Sequence, residues 1–315
     1  MPLGGDRSRR IISQTGSWYC VMALDALATA IGNALGVSLY PQPTSRVHGG
    51  SINECYRWES DAGPLFVKVA PARGSAMFEA EAAGLEELRR AQAVRVPRVM
   101  SVGTGAGKAW LALEWIQSGT PSRMTDAVLG EQLARQHRST QPAFGWSRDN
   151  TIGSTPQLND WDESWVTFFR DRRLRYQLDL AENNGYGGRL QLRGEALLDR
   201  LSEFFSTYQP APSLLHGDLW GGNRAADERG NPVIFDPAVY YGDREADLAM
   251  TRLFGGFGPD FYSAYESNWA LAAGAAARTD LYNLYHVLNH LNLFGGGYLG
   301  QAVSLIDNLL AEVGH

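Results

Sequence analysis

Leu214-Leu215-His216-Gly217-Asp218-Leu219-Trp220-Gly221-Gly222-Asn223, followed by Val233-Ile234-Phe235-Asp236-Pro237, is the stretch on which the reading of this 315-residue chain turns. Asp218 precedes Asn223 by five residues, and Asp236 follows Asn223 by thirteen. Any one of the three is an ordinary turn former. Together, between apolar strands and with His216 beside them, they offer two carboxylates and an amide. One carboxylate can accept or orient a hydroxyl proton, while the other and the amide oxygen hold a hard divalent cation.

Those two spacings are the ones found in the catalytic loop and metal-binding Asp of protein-kinase-like enzymes. The expected fold is therefore α+β, protein-kinase-like and bilobal, with a small β-rich N-lobe and a larger, mainly helical C-lobe. The rest of the chain agrees with this division. Strand signals run from Val47 through a Gly turn to Ile52–Trp58 and Leu65–Val69, helical period follows over 75–91, and Val94–Val102 and Trp110–Ile116 read as strands. From Thr125 onward the pattern is mostly helical, broken by an apolar, turn-rich stretch at 213–242. The expected boundaries are 1–36 for an N-terminal extension and helix, 37–116 for the N-lobe and 117–315 for the C-lobe.

Composition narrows the function classes. With 44% hydrophobic residues, 20% charged, 35 Gly and 14 Pro, the chain is that of a globular protein, neither collagenous nor low-complexity. Its length suits two lobes around a cleft better than one core. The net charge of −6 without a basic block argues against nucleic acid or an anionic membrane as partner, so an anionic ligand must be met by a few placed cations. Two cysteines, Cys20 and Cys55, make no zinc site or disulfide framework, which fits a reducing cytoplasm. No window is long and apolar enough to span a membrane. Arg9 and Arg10 ahead of an apolar run look like a secretory signal, but Leu24, Leu27, Ala28, Ile31 and Leu35 have the spacing of an amphipathic helix ending at Gly36. Met22 is then a candidate start, with residues 1–21 loosely ordered.

The same template asks for a lysine on the third strand and a glutamate on the next helix. Lys68, in Phe66-Val67-Lys68-Val69, is one of two lysines in a chain that otherwise uses arginine, so a compact ammonium suits α/β-phosphates there; the alternative is a solvent-facing lysine on an edge strand. On a helical wheel Phe78, Ala82, Leu85 and Leu88 form the apolar stripe, and of the nearby acids only Glu81 falls within it. A carboxylate on that face needs a cation, and Lys68 is at hand; Glu79, Glu86 and Glu87 belong to a solvated face. Gly49, Gly50 and Ser51 can close over phosphates with their N–H groups. Glu114-Trp115-Ile116 would be a hinge whose backbone, at Glu114 and Ile116, reads adenine.

Other features have plainer readings. Gly103-Thr104-Gly105-Ala106-Gly107-Lys108 is too short for a nucleotide P-loop, lacks the following Ser or Thr, and leads into a strand, so it is a hairpin turn. Arg170, Arg172, Arg173 and Arg175 could meet an anionic substrate, but the interleaved Asp171 and Asp179 suggest a salt-bridged helix face. His286 and His290 are half a metal site without a third ligand and read as helix-surface or core residues. Cys55 could gate nucleotide access if oxidised, but a strand cysteine is more often an inert small hydrophobe. Trp220 could stack on a sugar face or be a buried anchor for its loop.

With these residues in view the sequence resembles the fructosamine kinase, or ketosamine-3-kinase, family over about residues 30–312. Gly49 to Glu54, Met77 to Ala82, Phe144-Gly145-Trp146 through Asn150, Ile152 to Gln157 and His216 to Asn223 are similar to that family's signatures, and the Asp149-to-Trp165 region separates it from the aminoglycoside branch. Gly242 to Ala249 is similar to a segment of the broader phosphotransferase group, in which Asp247 would brace the catalytic loop; by itself it reads as a helix N-cap. The resemblance implies ATP- and Mg²⁺-dependent phosphorylation of the 3-hydroxyl of a ketosamine, free or protein-bound, with Asp218 as catalytic base. Gly49, Gly50, Ser51, Lys68 and Glu81 would serve the nucleotide, Asn223 and Asp236 the metal, and His216 and Asp247 would support them. The rival expectations are another small-molecule kinase of the aminoglycoside or choline group, and a non-catalytic nucleotide-binding regulator. A protein kinase proper is disfavoured because Pro237 follows Asp236 where Phe-Gly would stand.

Overall fold

The computed structural model describes residues 24–47 and 53–314. Gly49, Gly50 and Ser51 lie outside them, as do Cys20 and the N-terminal segment. The chain divides into two compact units: the first runs to Ala82 and resumes over Arg98–Trp115, and the second holds Ala83–Pro97 and everything from Ile116. The segment 83–97 thus goes with the second unit.

The first unit is one antiparallel sheet with a helix in its core. The strands are β1 (Ser45–Val47), β2 (Glu54–Trp58), β3 (Leu65–Pro71), β4 (Val99–Gly105) and β5 (Lys108–Glu114), in the order β1-β2-β3-β5-β4. Period-two alternation sends Trp58, Leu65, Val67, Val69, Trp110 and Ala112 into one buried cluster. Helix α1, over residues 24–35, joins that cluster through Leu27, Ala28 and Ile31, and stops at Gly36, whose φ of +70° is cheap for glycine alone. Helix α1 thus belongs to the small unit's core. Lys68 sits mid-strand with Cys55 opposite on β2 and Leu111 on β5, so the edge-strand reading is overturned. Residues 94–98 are not in the strand expected over Val94–Val102. Pro97, which has no N–H to donate to a ladder, immediately precedes the residues that pair. Ala106 and Gly107, with φ of 51° and 75°, form the tight β4–β5 turn, which settles the P-loop lookalike as a hairpin.

Helix α2 (Ser75–Arg90) begins in the first unit and ends in the second, with Phe78, Ala82, Leu85 and Leu88 all buried. The second unit is mainly helical: α3 (Arg123–His137), α4 (Trp165–Phe168) continuing through a π-helical turn (Phe169–Arg175) into α5 (Tyr176–Asn183), α6 (Arg189–Asp199), α7 (Glu245–Leu253), α8 (Pro259–Asn268), α9 (Ala275–Phe294) and α10 (Leu299–Glu312). Three short antiparallel pairs are set among them: β6 (Asn150–Ile152) with β7 (Thr155–Gln157), β8 (Ser213–Leu215) with β11 (Tyr240–Gly242), and β9 (Arg224–Ala226) with β10 (Pro232–Ile234). The last two pairs frame the segment on which the sequence reading turned. Among the described residues no helix is long and apolar enough to cross a membrane.

The arginine cluster departs from expectation. Arg170, Arg172 and Arg175 pair with Asp171, Asp160 and Glu195 as surface ion pairs. Arg173 is fully buried and donates to Leu158 O and Asn159 Oδ1, with the faces of Tyr240 and Phe168 at 4.2 and 4.6 Å. A π-turn adds a residue to the helical repeat, which displaces the side chains from a 3.6-residue wheel and turns Arg173 inward. Glu87 is a second correction, because its carboxylate accepts from Tyr241 Oη at 2.7 Å rather than facing open solvent.

Candidate active site

In the first unit Lys68 Nζ lies 2.6 Å from Glu81 Oε1, with side-chain exposures of 6% and 11%. The strand supplies the lysine at the centre of the sheet, and α2 presents the glutamate from the edge of its apolar stripe. An ion pair so deeply covered is weak evidence for stability, since desolvation of both charges offsets most of their attraction. It does fix an ammonium in one place. Glu114, ending β5, pairs with Arg98 at 2.6 Å and gives its N–H to Arg98 O, while Trp115 packs on Phe66 and under the Arg57 guanidinium. The chain passes to the second unit between Trp115 and Ile116.

In the second unit β8 ends at Leu215 and the chain turns sharply through His216-Gly217-Asp218. Gly217 has φ of +83°, and a Cβ there would overlap the Ala238 carbonyl oxygen, so no other residue fits. Asp247, in the first turn of α7, accepts from the backbone N–H groups of His216 and Gly217 at 2.7 and 2.8 Å. It is not an N-cap: that position is Arg244, which makes no capping bond. Instead Asp247 ties the turn to α7. Burial would raise its pKa, but the hydrogen bond from His137 and the neighbouring donors outweigh this and hold it below the usual carboxylate range. Its other partner is His137 Nε2, at 3.1 Å, on α3; His137 Nδ1 in turn meets Tyr265 Oη at 2.8 Å. Burial keeps His137 below its ordinary value, so it is a neutral donor to the carboxylate. His137 was missed in the sequence, where it is only the last residue of a helix.

His216 joins the two halves of the site. Its Nδ1 accepts from Asp218 N at 3.3 Å, which leaves the proton on Nε2 to donate to Phe235 O at 3.0 Å, and burial lowers its pKa in keeping with a neutral ring. Asn223 Nδ2 donates to Asp218 O at 2.9 Å and Asp218 Oδ2 at 3.1 Å. The amide oxygen is thereby turned away from Asp218. Asp236 adopts φ of +57°, a left-handed conformation that costs a non-glycine residue energy and, where it persists, is over-determined by its surroundings. Burial and the nearby Asp236 carboxylate push Asp218 up to about 7, against the lowering effect of its bond from Asn223. A carboxyl with that value is poised to take a proton near neutral pH.

The donor set fits a magnesium ion. An amide oxygen and a carboxylate are hard ligands, and two protein oxygens leave most of a coordination sphere to phosphate and water, as Mg²⁺ prefers. Among the described residues no group of three or more His, Cys, Asp and Glu could hold a metal by itself. His286 is buried in α9, and the His290 ring packs against Phe254, Phe294 and Tyr298. Trp220 is not a buried anchor: it is 39% exposed, lies over Gly222, and meets Phe254 edge-on at 6.3 Å. Cys55 is buried within β2.

Comparison with known proteins adds the family. A family model described as fructosamine kinase matches residues 23–312. A probable ketoamine kinase of Synechocystis sp. is 44% identical over 285 residues, 90% of this chain and 96% of its own. A chloroplastic protein-ribulosamine 3-kinase of Arabidopsis thaliana is 44% identical over 267 residues, 84% of this chain and 81% of its own. A crystal structure from Thermobifida fusca, named as a fructosamine-3-kinase, superposes with a TM-score of 0.82 at 31% identity, covering 91% of this chain and 99% of its own. An ADP-bound aminoglycoside phosphotransferase shares the fold alone, with a TM-score of 0.57 at 13% identity over 84% of this chain and 93% of its own. With an α+β fold of this kind and a family match along nearly its whole length, the chain belongs to the fructosamine kinase family of phosphotransferases.

Proposed function

We propose that this protein transfers the γ-phosphoryl group of ATP to the 3-hydroxyl of a ketosamine, acting in the cytoplasm on sugar-modified amines, free or protein-bound. The observation that carries this reading is the Asp218 carboxylate, hydrogen-bonded to Asn223 in a turn that Asp247 anchors through the Gly217 N–H. The names of the relatives support the choice of acceptor.

In this reading Asp218 accepts the hydroxyl proton at a carboxylate oxygen, which requires the ionised form. Asn223 and Asp236 would hold Mg²⁺, which when bound neutralises phosphate charge. Lys68, kept in place by Glu81, meets the α/β-phosphates, joined by the N–H groups of Gly49, Gly50 and Ser51. Glu114 and Ile116 offer backbone groups to adenine. Trp220, exposed beside the catalytic turn, offers an aromatic face to the sugar. Most of the rate then comes from orientation and charge placement rather than covalent chemistry. Product esters of this kind are labile, so the phosphorylation commits the adduct to release of the amine.

The test is Mg²⁺-dependent ADP release with ribulosyl-, erythrulosyl- and fructosyl-lysine side by side, against aminoglycosides and choline. Turnover with one of the ketosamines is expected. Turnover confined to the other acceptors would reassign the substrate, and tight ATP binding without turnover on any would end the enzymatic reading.

A further inference from the structure

Behind Asp236 lies a relay of side-chain amides that takes no part in the chemistry above. Gln157 Nε2 donates to Ala238 O at 3.1 Å, and Asn150 Nδ2 donates to Val239 O at 2.8 Å. Gln157 Nε2 also reaches Asn150 Oδ1 at 2.8 Å, and Asn159 Nδ2 reaches the same oxygen at 3.0 Å. Asn150, Gln157 and Asn159 are all buried. Tyr285 Oη donates to Gln157 Oε1 at 2.8 Å, and Arg173 Nη2 donates to Asn159 Oδ1 at 2.7 Å.

The direction of this relay is not free. An amide can be turned end for end, but a guanidinium only donates. Arg173 therefore forces Asn159 to present its oxygen to it and its NH₂ to Asn150. Asn150 must then accept on its oxygen, which points its NH₂ at the Val239 carbonyl. The Ala238 carbonyl, which can only accept, draws the Gln157 NH₂ to itself and leaves Gln157 Oε1 to accept from the Tyr285 hydroxyl. Burying an arginine with no carboxylate within ion-pair distance among the described residues is costly, yet here it polarises a chain of neutral amides that ends on two backbone carbonyls.

Those carbonyls sit two and three residues beyond Asp236. Ala238 also touches the catalytic turn directly: its N–H donates to His216 O at 2.8 Å, and its carbonyl lies against Gly217. Holding Ala238 and Val239 sets the exit of a residue whose own backbone is left-handed, and registers it on the turn that carries Asp218. We propose that Asn150 and Gln157 are positioning residues for Asp236, holding it in metal-binding geometry through the Ala238 and Val239 carbonyls, with Arg173 setting the polarity of the relay. This inference rests on the reading of Asp236 as a magnesium ligand.

The experiment is isothermal titration of the full chain with ADP, in Mg²⁺ and in EDTA, together with the melting temperature of the unliganded protein. The variants are Asp236→Gly, Gln157→Leu and Tyr285→Phe; glycine is used at 236 because it removes every side-chain oxygen and tolerates the left-handed backbone. Asp236→Gly should reduce Mg·ADP affinity toward the level seen in EDTA. Gln157→Leu should lower Mg·ADP affinity about tenfold and leave ADP in EDTA unchanged, the usual scale for a group that orients a metal ligand. Tyr285→Phe, which removes one hydroxyl and keeps the fold, should act in the same direction by about threefold, and it decides the matter if Gln157→Leu does not fold. Mg·ADP affinity within about twofold of the parent in both relay variants, or an equal loss in EDTA, overturns the proposal while Asp236 keeps its role. Retention of Mg·ADP affinity by Asp236→Gly removes the metal reading, and the proposal with it.

Discussion

Lys68 Nζ and Glu81 Oε1 are 2.6 Å apart under a cover that leaves each side chain about one-tenth exposed or less. Breaking such a pair from one side strands a buried charge, at a cost of about 3–5 kcal/mol, whereas replacing both partners with apolar side chains is often close to neutral. Lys68→Met and Glu81→Leu should each lower the melting temperature, and the double variant should recover most of that loss. None of the three should release ADP at more than a small fraction of the parental rate. A double variant that regained both stability and turnover would show that the pair is only structural.

Asp218→Asn keeps the shape of the side chain and its amide neighbour but cannot take a proton. A fall in kcat of about 10²–10⁴ is expected, with ADP affinity nearly unchanged. The check is steady-state kinetics beside nucleotide titration. Parallel losses in both would mean that Asp218 serves binding rather than proton transfer.

Gly217→Ala tests the turn itself. The added methyl would collide with the Ala238 carbonyl, in a backbone conformation that already costs an alanine about 1–2 kcal/mol. A melting temperature several degrees lower and near-complete loss of turnover are expected. By contrast Gly230→Ala, whose φ is +82° but whose surroundings are open, should pay the backbone strain alone and keep its activity.

Stability should fall on the acid side of neutrality. His137, His216 and His286 are all depressed by burial, His286 to about 3, so the unfolded chain binds protons below about pH 6.5 that the folded chain refuses. Asp218 and Asp243 act the other way, because burial raises them and the folded chain binds their protons first. The depressed histidines therefore take stability away as the pH falls through the ordinary histidine range, and the two raised acids offset part of that loss. His290, also lowered by burial, adds to the same side. Melting temperatures in EDTA from pH 7.5 to 5 should decline; a rise toward pH 5 would put the two acids ahead.

Local geometry was legible in the sequence, and distant partnership was not. Asp218, Asn223 and Asp236 lie within one short supersecondary unit, so their spacing already carries their arrangement. Glu81 could be picked from its neighbours because a helix wheel reports burial directly, and Lys68 because the chain has so few lysines. The same wheel failed for Glu87, which Tyr241 captures from 154 residues away. It failed for Arg173 because the helix there is not a 3.6-residue helix. His137 and Asp247 are 110 residues apart, and nothing in the local pattern of either announces the other. Proline at 97 explains why a run of valines at 94, 96 and 99 pairs only in its last part.

Cys55 lies directly across the ladder from Lys68, sealed at 4% exposure. A thiol so placed is a stopwatch. With Cys20 exchanged for serine, an alkylating reagent can reach Cys55 only during the moments when this part of the sheet comes apart, so the pace of labelling counts those moments. An occupant that grips the ammonium next door would slow the count.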